Sequence, residues 1–370
     1  MFTPTKSEQI TQLLNEWYIE IRLRRIDSAN RFKEQIDNKI NILKNEYPNG
    51  LPDQNLLLYY SLLNFRYNYL IDNLGVSKDS FNKIESFEIP TNNFLSYYYH
   101  FFKAIHSDAI GNYILAREHY DKAEALLQYI PDEIEKAEFY YKLGYSYYDN
   151  QQTLQAIKEV TKAKDMFSNH LGYEVNVAFC DNILGLACIN LKEWELAEEH
   201  FTAAMNQFQK TGKEKFILMV RHNLGWMYSN QNLNALAIRY LSEVVEKSPN
   251  HYKAIFASAL EYYKLKEISV ADELIKRGLN ISNELKQEEF QHRFMILQEL
   301  NNSSPAKTFE KVALAGIKYF EREELYEDVQ EHYETLAIKF YDENEHSEAS
   351  KYFYLALQAT KKANAKGGLK

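Results

Sequence analysis

Residues 142–164 read KLGYSYYDNQQTLQAIKEVTKAK, and residues 183–205 read ILGLACINLKEWELAEEHFTAAM. A third stretch, NLGWMYSNQNLNALAIRYLSEVV, runs from 223 to 245. In each, a glycine (Gly144, Gly185, Gly225) is followed twelve residues later by an alanine (Ala156, Ala197, Ala237). Four positions on comes a larger apolar residue (Val160, Phe201, Leu241). Three beyond that comes a mostly small one (Ala163, Ala204, Val244). The same scheme recurs at Ala104, Ala116, Tyr120 and Ala123, at Ala259, Ala271, Ile275 and Gly278, and at Ala337, Ala349, Phe353 and Ala356.

A small residue on a first helix lets a second helix approach it, and the paired small residues let that second helix pack closely on the next unit. This pattern resembles the tetratricopeptide repeat, a helix-turn-helix unit that stacks into a superhelix. The marker alanines are spaced 40, 41, 40, 34 and 78 residues apart. The last gap is about two periods of roughly 34 residues, so a degenerate repeat is expected near 285–320. Seven repeats are therefore placed between about 94 and 362, with a frayed tail, KKANAKGGLK, after them.

Residues 1–74 lack the marker. Helical stretches are predicted at about 7–24, 27–46 and 54–74, separated by Asp27 as a cap and by YPNGLPD at 47–53. Asp53 caps the third stretch and leaves Gln54 in its first turn. Residues 75–93 read as a linker in which Phe81, Ile84, Phe87 and Ile89 form one or two amphipathic turns. The fold class is all-α: an N-terminal three-helix bundle (1–74), a linker (75–93) and a tetratricopeptide superhelix (94–370).

Composition narrows the function. The net charge is -9, and residues 1–74 carry nine Lys/Arg against nine Asp/Glu. That balance disfavours nucleic-acid binding, which needs basic clusters, and Arg22, Arg24 and Arg25 read as a solvated helix face. Cys180 and Cys188 would lie roughly 12 Å apart along a helix, too far for a disulfide, and read as reduced core thiols. No signal peptide is visible, and the longest apolar run, Leu56–Leu63, is too short for a bilayer. A cytoplasmic protein without membrane contact is expected. There is no phosphate loop, no HExxH, no Cys/His cluster and no GxSxG.

LLNEWYIEIR at 13–22 and DQNLLLYYSLLNFR at 53–66 resemble the signature stretches of the Rap family, the response-regulator aspartate phosphatases and regulator inhibitors of bacilli. The resemblance spans the chain and implies a cytoplasmic quorum-sensing role in sporulation or competence. In phosphatase members, a Gln at the start of the third bundle helix enters the active site of a phosphorylated response regulator. Here that residue is Gln54. Its amide would orient water for in-line attack on the aspartyl phosphate, with no cofactor of its own and with Mg²⁺ on the partner. Asp53, Leu57, Ser61 and Asn64 would face the regulator. In inhibitor members, the bundle and linker instead sequester the DNA-binding domain of a competence-type regulator without chemistry.

The resemblance also implies inhibition by a short secreted and re-imported peptide bound in the concave groove. Positions 2, 6, 9 and 13 of each first helix line that groove. They supply Glu138, Lys142, Tyr145 and Asp149, then Phe179, Ile183, Leu186 and Asn190, then Met219, Asn223, Trp226 and Asn230, then Lys253, Ala257, Leu260 and Lys264. Asn223 matches the family's peptide-clamping asparagine. Asn190 stands where members often carry an Asp, and Asp149 could supply that charge. The YPNGLPD loop is longer than usual, and Tyr67 stands where His is common.

Overall fold

The computed structural model describes residues 5–46 and 53–368; the predicted turn at 47–52 lies outside them. Three helices come first: α1 (Lys6–Arg22), α2 (Ile26–Glu46) and α3 (Gln54–Ile71). Thr5 starts α1 with a capping box closed by Glu8. Asp53 starts α3, its carboxylate accepting from the Leu56 amide at 2.9 Å. Asp27 lies within the first turn of α2 rather than at its cap. A short 3₁₀ turn (Lys78–Phe81) and α4 (Asn82–Glu85) form the linker. Phe81 and Ile84 are its buried anchors, while Ile89 is 60% exposed.

Seven antiparallel helix pairs follow. They are α5 (Asn93–Ala109) with α6 (Tyr113–Leu126), α7 (Glu133–Asp149) with α8 (Thr153–Ser168), and α9 (Glu174–Asn190) with α10 (Trp194–Thr211). Then come α11 (Glu214–Asn230) with α12 (Asn234–Lys247), and α13 (Tyr252–Lys264) with α14 (Ile268–Glu284). The last are α15 (Glu288–Asn301) with α16 (Ala306–Arg322), and α17 (Tyr326–Asp342) with α18 (His346–Gly367). No strand occurs among the described residues.

The small-residue code has a steric basis. A Cβ on Gly144 would lie 2.5 Å from Val160, one on Gly185 2.7 Å from Phe201, and one on Gly225 2.7 Å from Leu241. These are the large residues sixteen positions on, so each pair closes by a glycine-to-apolar contact inside the repeat. The alanines at 116, 156, 197, 237 and 271 are fully buried. The sixth repeat exchanges large for small: Ile296 takes the marker position, five residues before the end of α15, and faces Gly316, while Phe309 and Ala313 stand where the other repeats carry an alanine and a large residue. Ile296, Phe309 and Ala313 are all buried, so the packing persists with large and small residues on exchanged helices while the marker spacing is lost.

Two details differ from expectation. Phe353, the marker's large residue in the last repeat, is 46% exposed, and Tyr352 fills the core instead. The tail is not frayed through its length: α18 runs to Gly367, and the Lys366 ammonium donates to Asn150 and to the Glu324 carbonyl.

A single core runs from Ile10 through the linker anchors to Leu143, joining the bundle to the first two repeats. Seventy-odd residues bury too little apolar surface to stand firmly alone. Here α3 completes its burial against α5 and α4, with Tyr59 against Phe94 and Phe65 against Phe81. Cys180 and Cys188 are buried and unpaired. No described helix is long and apolar enough to cross a membrane.

Candidate functional site

The α3 helix links two distant places. Gln54 lies exposed in its first turn. Its other end, at Tyr69, Leu70 and Ile71, forms part of the wall of the large concave cleft of the superhelix. Eighteen residues at 1.5 Å each make the rod about 27 Å long. Asp53 is half-buried, its carboxylate capping α3, and Leu57 and Asn64 are half-buried. Ser61 is only 5% exposed. The expectation that Ser61 faces a partner is therefore corrected: α3 is wrapped by α1, α2, α4 and α5, and Ser61 points into that packing.

The bundle is held to the superhelix by buried ion pairs on α7. Both Arg24 and Arg66 donate to the Glu138 carboxylate, at 2.9 Å each. Arg22 reaches Asp132 at 2.7 Å and Glu135 at 3.1 Å, and the hydroxyls of Tyr18 and Tyr97 donate to Glu135. Arg22 and Arg24 are thus buried, at 6% and 7% exposure, and not a solvated face; only Arg25 of that trio is exposed. Further support comes from Lys215, whose ammonium donates to the carbonyls of Leu70 and Ile71.

The two α7 carboxylates titrate in opposite directions. Burial pushes Glu135 up to about 7, aided by neighbouring Glu138 and opposed by Arg22. Burial also acts on Glu138, but Arg24 and Arg66 outweigh it and hold that carboxyl below its ordinary value. For Glu135 the folded value is raised, so its contribution is fully present below 4.5 and is lost as pH rises through about 7. We expect Glu135→Gln to gain thermal stability relative to wild type as pH goes from about 5 to about 7. Parallel stability–pH curves for the two proteins would contradict this.

The cleft has a volume of about 1120 Å³. Small-molecule pockets run to roughly 300–1,000 Å³, so the cleft suits an oligopeptide. Amides from the first helices of the third and fourth repeats, α9 and α11, project into it. The Asn223 amide donates to the Asn182 side-chain oxygen at 2.8 Å, and both residues are buried yet line the cleft. Asn190 donates to Thr153, and Asn230 to the Trp226 carbonyl. Tyr145 hydrogen-bonds to Asp149, which also faces Lys253; burial pushes the Asp149 carboxyl up. Phe179 lines the wall, but most of its ring packs on Phe208 and Phe216.

The structure brings Tyr145, Asp149, Phe179, Asn190, Asn223, Trp226 and Asn230 into this one cleft. Glu138 is instead taken by the bundle, and Ala257 is buried. Counting positions 2, 6, 9 and 13 passed over position 5, three residues after 2 and four before 9. Residues at those spacings share a helix face, and position 5 supplies Asn182 and His222 to the cleft. Also missed were Glu327, Asp328 and Glu331 of α17, although Glu331 sits at position 2 of the seventh repeat. Among the described residues no group of three His, Cys, Asp or Glu is placed to hold a metal ion.

Residues 5–72 match the family model described as response regulator aspartate phosphatase H, N terminal. Regulatory protein RapC of Bacillus subtilis (strain 168) is 28% identical over 384 aligned positions, covering 98% of this chain and 97% of that one. The crystal structure of a Rap protein complexed with competence and sporulation factor superposes with a TM-score of 0.78. It is 25% identical and covers 97% of this chain and 99% of that one. The chain is similar to Rap proteins over nearly its whole length. The apo form of the Rap protein RapI, also 25% identical and covering 98% of this chain and 100% of that one, superposes with a TM-score of 0.52. Among these two Rap structures, the arrangement seen here is nearer to the one with ligand.

Proposed function

We propose that the chain is a peptide-gated regulator of a response regulator, and that it dephosphorylates that partner's aspartyl phosphate. The observation that carries this reading is the placement of α3, with Gln54 at its exposed end and Tyr69 to Ile71 in the cleft wall. A ligand filling the cleft touches the same rigid rod that presents Gln54. The carboxamide has a donor and an acceptor and does not ionise, so it can orient a water without a neighbouring base. The partner would supply the acyl phosphate and its Mg²⁺. Asp53 would set the register of Gln54 by capping the helix, and Leu57 and Asn64 would border the contact.

The docked bundle is the withdrawn state in this reading. Three arginines paired with the buried Glu135 and Glu138 carboxylates fix it on α7, and the superposition with the ligand-bound Rap protein supports that assignment. An extended peptide backbone would be held by the amides of Asn223, Asn190 and Asn230, with Trp226 and Phe179 as apolar walls. Tyr145 and Asp149 would form its charged end. A second reading is sequestration: the bundle binds the partner's DNA-binding domain without chemistry. Release of phosphate from a phosphorylated receiver domain separates the two. Catalytic release supports the first reading, and stoichiometric binding without release supports the second.

Asn223→Ala should weaken peptide affinity about 5- to 150-fold, the loss of one clamp hydrogen bond of about 1–3 kcal/mol. The variant should still act on its regulator. Calorimetry with a peptide selected from a synthetic pentapeptide library checks this, and unchanged affinity would remove Asn223 from the site. The same titration on Asp149→Asn tests whether that carboxylate recognises a basic peptide side chain.

A further inference from the structure

The two ends of the superhelix meet. Gln287, 3% exposed at the start of α15, donates its amide to the Val76 carbonyl at 2.8 Å and the Ala109 carbonyl at 3.0 Å. One side chain thus ties together the linker, the first repeat and the sixth repeat. Beside it, Tyr113 donates to Glu289 at 2.6 Å, and Tyr319 donates to the Gly111 carbonyl at 2.7 Å. Arg293, one turn along α15, bridges Glu289 at 2.9 Å and Asp328 at 2.6 Å. Asp328 in turn accepts from Gln151 of the second repeat.

The first-to-second-helix turns show that this seam is built rather than incidental. All seven contain one residue with positive φ, from 52° to 73°. Six of them are Gln151, Lys192, Asn232, Lys266, Ser303 and Asn344, so a side chain is tolerated there. Only the first is a glycine, and a Cβ on Gly111 would lie 2.6 Å from the Tyr319 hydroxyl. The glycine is required by the approach of the sixth repeat, not by the turn.

We propose that Gln287 and Arg293 are positioning residues of a ring lock that couples the cleft to the linker. Glu289, Arg293 and Asp328 line the cleft, while Gln287 on the same helix grips the linker that leads to the bundle. Closing the cleft on a ligand brings the sixth and seventh repeats onto the first two and seats Gln287 on Val76. Opening it releases the linker carbonyl and frees the bundle to leave α7. This deepens the regulation proposed above and rests on that reading only for the trigger. The lock itself is tested without ligand or regulator, on the docked fraction that the unliganded chain already populates and that a ligand would raise, so its failure and the failure of the proposed function are separable.

The test is hydrogen exchange and small-angle scattering on the full chain carrying Gln287→Met, Arg293→Met or Tyr319→Phe. Gln287→Met keeps the volume and removes both donated bonds. Tyr319→Phe removes only one hydroxyl and serves if a larger change disturbs folding. The expected result is about 5- to 100-fold faster exchange, not only at residues 76–79 and 109–114 but also along α3, with a larger radius of gyration. Arg293→Lys should recover part of the protection, because it keeps one ion pair but not the two-sided bridge. Faster exchange confined to the seam, with α3 and the radius unchanged, would overturn the proposal. So would no change at either place.

Discussion

Glu138→Ala is expected to release the bundle from the superhelix. The carboxylate is fully buried and is the shared acceptor of Arg24 and Arg66, themselves 7% and 2% exposed. Removing it leaves two desolvated guanidinium groups without a counter-charge, which costs about 3–5 kcal/mol for a buried pair. That shifts the docking equilibrium by two to three orders of magnitude, while the helices themselves remain. Because docking and cleft closure are coupled, peptide affinity should fall with it. The chain should then act on its regulator whether or not peptide is present. Replacing all three members with apolar residues of similar volume should restore docking, since a packed apolar contact can equal a buried ion pair. A Glu138→Ala variant with an unchanged radius of gyration and unchanged peptide response would show that these pairs do not hold the bundle.

Gln54→Ala is expected to abolish phosphate release while leaving regulator binding nearly intact. In the proposed mechanism the amide would only place a water, so partner contacts at Leu57 and Asn64 should survive. Gln54→Asn should also be poor. Shortening the arm withdraws the amide by roughly an angstrom, and misplacement of that size can cost about 100-fold. Rates from a phosphorylated receiver domain, beside pull-down of the same domain, separate chemistry from binding. Full activity in Gln54→Ala would remove this residue from the mechanism and favour sequestration.

The repeats could be read from sequence because close packing leaves a spacing that survives change. Gly144, Gly185 and Gly225 each face a fixed partner sixteen residues on, and nothing larger fits. The sixth repeat hid itself by placing large Ile296 and Phe309 at the small marker positions and small Ala313 and Gly316 opposite them, which keeps a packed pair but erases the spacing. The cleft was half legible. A count of four positions per helix found Asn223 and Asp149 but stepped over Asn182 and His222, which share the same face. The docking of the bundle was not legible. Arg22 and Arg24 meet their partners more than a hundred residues away, and local charge balance made them look solvated. The seam at Gln287 is further still from local reading. It depends on where the small rotations between successive repeats bring the first and the sixth.

In the proposed switch a filled cleft and a docked bundle are one state. Small-angle scattering of the wild-type chain, titrated with a peptide selected for binding, tests it most directly. The radius of gyration is expected to fall in step with occupancy and reach a plateau at saturation, and Glu138→Ala to fail to compact. A radius that stays constant while the peptide binds and inhibits would contradict the account and point to direct competition for the regulator's surface.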